Sequence, residues 1–138
     1  MIKYDNFKKA LGRLKEQNNL YKQEDVEKPH RYTDSAKESL VQRFETCYDC
    51  LWKTLQKYLK EELGISEEFG KAPIVFRAAI KNNFLSSRWP WKKYNKARIG
   101  TAHDYDASKA QEVIDLVDEF IKDAIELYQK MSKEKLSD

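Results

Sequence analysis

LVQRFETCYDCLWKTLQKYLKEELGI, residues 40–65, is the stretch on which the fold turns. Leu40, Phe44, Tyr48, Leu51, Leu55, Tyr58 and Leu59 recur at intervals of three and four, the period of one face of an α-helix. Gly64 supplies the stop, because glycine adopts at no steric cost the left-handed conformation that closes many helices. Upstream, Pro29 breaks the pattern within QEDVEKPHRYTD, Thr33, Asp34 and Ser35 offer N-caps, and Glu38 stands three beyond Ser35 as in a capping box. The spacing therefore predicts a long central helix over residues 34–63.

Outward from that helix the same period recurs. Tyr4, Phe7, Leu11 and Leu14 predict a helix over 3–22, followed by the Pro29 loop. Pro73 suits the first turn of a helix over 73–85, whose apolar residues Ile74, Val75, Ala78 and Ala79 lead to Phe84 and Leu85. RWPWKKYNKAR, residues 88–98, predicts one or two helical turns over 90–98 ending near Gly100. Ser108 and Gln111 mark the start of a last helix over 107–132, carried by Ile114, Val117, Phe120, Ile121, Ala124, Leu127, Tyr128 and Met131. No alternating strand pattern appears. The expected fold is all-α, an up-and-down bundle of four to five helices forming a single domain over residues 1–138.

The totals suit this reading. A chain of 138 residues with 41% hydrophobic and 36% charged residues can bury a core beneath solvated helix faces. No run approaches the roughly 18 apolar residues of a membrane span, and MIKYDNFKKALGRLKEQ has no apolar leader core, so a cytoplasmic protein is expected. Cys47 and Cys50 are the only cysteines and fall in the apolar helix. With two histidines in the chain and no strand before the pair, core packing is the expected role, rather than zinc or redox chemistry.

The net charge of +3 conceals a segregation. No acid occurs between Glu68 and Asp104, where Lys71, Arg77, Lys81, Arg88, Lys92, Lys93, Lys96 and Arg98 fall; the remaining 18 basic residues are outnumbered by 23 acids. Such a region favours an anionic partner, RNA or a nucleotide. Arg88, Lys92, Lys93 and Lys96 are its expected contacts. Trp89, Trp91 and Tyr94, interleaved with them, suit either stacking on bases or closing one end of the bundle.

Arg98 and His103 stand five apart, with Tyr105 two further on, in what reads as the turn before the last helix. A histidine that titrates near neutrality can exchange protons, and a guanidinium can hold a phosphate bidentately. Those roles suffice for RNA cleavage in which the ribose 2′-hydroxyl attacks its own phosphate. No carboxylate cluster accompanies the pair in the sequence, so neither metal nor cofactor is expected. The spacing alone rather favours a His103 that caps or packs the start of the last helix and an Arg98 paired with an acid such as Asp104 or Asp106.

Arg98, four residues, His103, one residue and Tyr105 resembles the motif of HEPN-domain proteins, in particular the class encoded beside a minimal nucleotidyltransferase (MNT). Arg43 to Glu45, Tyr48 and Leu51 to Lys53 resemble the signature of the nucleotidyltransferase substrate-binding family within that group. Ile99 stands where relatives often carry a polar residue.

The resemblance implies a HEPN-like bundle and a two-fold homodimer in which Arg98 and His103 of both chains meet. It implies His103 as general acid/base, Arg98 as phosphate clamp, and Tyr105 as the residue to which a partner nucleotidyltransferase transfers AMP to silence a toxin. Glu45 suits either support of the site by bonding to Arg98 or the solvated face of the long helix, and is given no catalytic role. The competing implication is a non-catalytic subunit that presents nucleotide or substrate to the nucleotidyltransferase.

Overall fold

The computed structural model describes residues 2–27, 33–103 and 107–136. Five helices make up its regular structure: α1 (Asp5–Glu27), α2 (Thr33–Glu61), α3 (Ala72–Lys81), α4 (Trp91–His103) and α5 (Ala107–Ser132). No strand occurs among the described residues.

α2 is the element around which the others assemble. Leu40, Phe44, Cys47, Tyr48, Leu51, Leu55 and Leu59 lie along it fully buried. α1 packs along one flank of α2, α3 and α4 lie against another, and α5 meets α1, α2 and α4. Aromatic rings join these helices into one core. Phe44 meets Phe120 edge-on at 4.9 Å, and Tyr94 meets the same Phe120 at 5.0 Å, so α2, α4 and α5 share one anchor.

Most boundaries differ from the sequence reading, with α1 running over 5–27 rather than 3–22, and three of the differences bear on the fold. α3 ends at Lys81 rather than 85, because Asn83 takes a left-handed φ of 59° and turns the chain, which asparagine tolerates better than most residues. That turn drops Phe84 onto Tyr58 at 4.7 Å, and Lys130 donates to the Phe84 carbonyl from across the bundle. α2 ends at Glu61; Gly64, with φ of 65°, then reverses the chain so that Ile65 N–H bonds to Leu59 C=O at 3.0 Å. α4 continues through Gly100 to His103, so Arg98 lies within a helix and not in a turn.

Cys47 is buried and Cys50 partly buried, and burial pushes both thiols above their ordinary range. No helix among the described residues is long and apolar enough to cross a membrane.

Candidate functional site

The site begins with two carboxylates one turn apart. Glu45 and Asp49 stand four residues apart on α2 and so share a face of that helix. Opposite them is Arg98 of α4. Arg98 Nε and Nη2 donate to the two oxygens of Asp49 at 3.2 and 3.1 Å, and Nη1 donates to Glu45 Oε2 at 3.0 Å. The hydroxyl of Thr101, one turn further along α4, donates to the same Glu45 oxygen at 2.9 Å.

This fork is partly sheltered, with Arg98 and Glu45 side chains about a quarter exposed, at 25% and 24%, and Asp49 at 34%. The hydrogen bond to Asp49 holds the Arg98 guanidinium above its ordinary range, against the opposing effect of burial. Two carboxylates face one guanidinium, so its charge is fully compensated. Three of its five N–H groups are used, leaving one on Nη1 and one on Nη2 without a partner among the described residues.

The surroundings keep this arrangement fixed. Buried Tyr48, one residue before Asp49, donates its hydroxyl to Asn95 of α4 at 2.7 Å. Tyr94 is fully buried and donates to Asp123 of α5. Burial is the main cause raising both groups, the Tyr94 phenol and the Asp123 carboxyl.

The helical path of α4 separates the two motif residues. Five positions along an α-helix turn through about 140° and rise about 7.5 Å, so Arg98 and position 103 fall on different faces. Position 103 instead shares its register with Lys92, Lys96 and Ile99, all three exposed. Tyr105, Asp104 and Asp106 lie outside the described residues. Arg98 pairs with Glu45 and Asp49, of which the sequence reading anticipated Glu45 and missed Asp49.

The other expected contacts divide. Arg88, Lys92 and Lys96 are exposed, whereas Lys93 is bridged to Glu119 at 2.5 Å. The aromatic residues do not form a groove for bases. Trp91 and Tyr94 are buried, while Trp89 stacks on Phe76 at 5.4 Å and meets Tyr94 edge-on. They close the bundle end, because burying these rings against Phe76 removes far more apolar surface from water than an exposed groove allows. Arg77 lies over the Trp91 ring at 5.4 Å and Lys92 lies 5.8 Å from its centroid, so part of the basic segment covers this cluster.

An all-helical bundle that carries the Arg–x4–His pattern on α4, with the arginine held by acids of its longest helix, defines a HEPN-type domain. Residues 2–133 match the family described as nucleotidyltransferase substrate binding protein like, and the chain belongs to that family. It is also similar to the probable ribonuclease HepT of Haemophilus influenzae, with 24% identity over 95 residues. That alignment covers 67% of this chain and 65% of the relative, so it spans somewhat less than two thirds of the relative's length. No solved structure matches the chain significantly.

Proposed function

We propose that this chain is a metal-independent endoribonuclease of toxin type, working as a single HEPN-like domain in a cytoplasmic homodimer. His103 serves as general acid/base and Arg98 binds the scissile phosphate. In the reaction, the 2′-oxygen attacks the adjacent phosphorus and the bond from phosphorus to the 5′-oxygen breaks. One histidine accepts the 2′-hydroxyl proton and a second gives a proton to the leaving oxygen. The separation of about 140° between positions 98 and 103 on α4 favours a site completed by a second chain. Lys92 and Lys96, in register with position 103, supply further cationic contacts to RNA, with Arg88 beyond them.

The observation that carries the reading is the fixing of Arg98. Its guanidinium is held by three hydrogen bonds that leave two of its five N–H groups unused, the number a bidentate phosphate contact takes. A cognate MNT-type nucleotidyltransferase is the natural partner, and AMP transfer to Tyr105 is the off-switch. An added phosphate ester beside the site repels an RNA backbone. The name of the similar Haemophilus influenzae protein supports the ribonuclease class.

The compensation of Arg98 by two carboxylates favours a second reading, a non-catalytic subunit that presents a nucleotide or substrate to the nucleotidyltransferase. Incubation with total RNA in excess EDTA separates the two. The ribonuclease yields fragments ending in 2′,3′-cyclic phosphate, and His103→Ala yields none. Intact RNA from both preparations, together with co-purification of a co-expressed nucleotidyltransferase, would replace the first reading by the second.

A further inference from the structure

A second cationic site lies on the other flank of α2. Arg43, Thr46 and Cys50 stand at successive helical turns, about 110° around α2 from the face that holds Glu45 and Asp49. α1 faces them with Asn6, Lys9 and Arg13, and the two helices enclose a groove of about 250 Å³. Lys9 and Arg13 are one turn apart on α1, and Arg43 approaches from α2.

The lining of this groove favours an anion. No acidic residue is among the described residues that line it. None of Lys9, Arg13 and Arg43 makes an ion pair among the described residues. Its neutral walls also offer donors, the Asn6 amide and the Thr46 hydroxyl. Three like charges converging on one concavity repel one another, and an anion in the groove relieves that repulsion. No aromatic side chain is among the described residues that line the groove, so these offer no platform for a nucleobase. Its volume suits a phosphate group.

We infer that the α1/α2 groove is a phosphate subsite, in which Lys9, Arg13 and Arg43 hold a backbone phosphodiester of single-stranded RNA without reading its sequence. The identity of the ligand rests on the ribonuclease reading. Between Arg43 and the Arg98 fork, the outer arc of α2 presents Gln42 and the groove residue Thr46, both exposed and uncharged. A helix is only about 10–12 Å in diameter, so a short length of strand crossing α2 reaches both places. The groove thereby anchors a phosphate remote from the bond being cleaved.

Fluorescence anisotropy with a short 2′-O-methyl oligouridylate tests the subsite, since this probe lacks the attacking hydroxyl and binding is measured apart from cleavage. Arg13→Gln/Arg43→Gln is expected to weaken binding at least about tenfold and to flatten the dependence of log K on log salt by about 0.7 per lost cation. Lys57→Gln/Lys135→Gln removes equal charge from exposed positions outside the groove and is expected to change affinity less than about threefold. The mutated side chains are exposed, and circular dichroism verifies that each variant is folded. Wild type that fails to bind the probe, groove variants that bind as wild type does, or an equal loss in both double variants would each overturn the subsite. A protein that cleaves no RNA but loses probe binding only in the groove variants would refute the ribonuclease and leave the subsite standing.

Discussion

The two flanks of α2 carry arginines in opposite circumstances. On one, Arg98 is held by Asp49 and Glu45 in a partly sheltered fork. On the other, Arg43 is exposed beside Lys9 and Arg13, with no acid among the described residues of their groove. The same cationic side chain is thus fixed in place by acids on one side and without an acid partner among the described residues on the other. What separates them is the placing of acids at 45 and 49, on the face of α2 that meets α4, and of threonine and cysteine at 46 and 50, on the face that meets α1.

The sharpest way to break this comparison is to remove each arginine in turn. Arg98→Ala leaves two partly buried carboxylates facing each other without their cation. The loss is about 1–3 kcal/mol in urea denaturation, as for hydrogen-bonded charges that retain some access to water. Arg43→Ala is expected to cost less than about 0.5 kcal/mol, as at an ordinary surface position. Equal losses would erase the distinction.

Asp49→Asn sharpens it with a smaller effect. One of the two bonds that Asp49 accepts is weakened or lost, at about 1–2 kcal/mol in the same measurement. Lowering the negative charge around Arg98 should also raise affinity for the 2′-O-methyl oligonucleotide about two- to fivefold. Weaker binding would mean that Asp49 positions Arg98 for the phosphate rather than competing with it.

Tyr48→Phe tests the support beneath the fork. Loss of its hydrogen bond to Asn95 should cost about 1 kcal/mol, while binding in the α1/α2 groove stays unchanged. The smallest effect concerns pH. Arg98 is held above its ordinary range, so its stabilisation is complete throughout that range and is lost only as pH rises through the higher folded value. The stability difference between wild type and Arg98→Ala attributable to the guanidinium should therefore stay flat from about pH 6 to 9. A slope in that interval would identify another titrating group in the fork.

Much of the fold was legible because helical periodicity is a local property. Leu40 to Leu59 on α2 and Ile114 to Met131 on α5 announce their buried faces at spacings of three and four, and Gly64 marks the turn that follows α2. α4 was less legible. Gly100 reads as a stop, but the helix continues through it, where Lys109 of α5 approaches within 3.5 Å of the place a Cβ would occupy. Glycine propensity is a small local penalty, and packing overrides it.

The sites divide in the same way. The sequence by itself determined an all-helical chain and the Arg98 and His103 pattern that resembles HEPN proteins, since each is carried by spacing along one segment or by family likeness, and it offered Glu45 only as one of several partners for Arg98. Only the tertiary structure decided that Asp49 completes the fork, that Trp91 and Tyr94 are core residues, and that Lys9, Arg13 and Arg43 share a groove. These depend on which helix faces meet across separations of thirty to fifty residues in the chain, and that is fixed by burial of the whole core, which no local periodicity records.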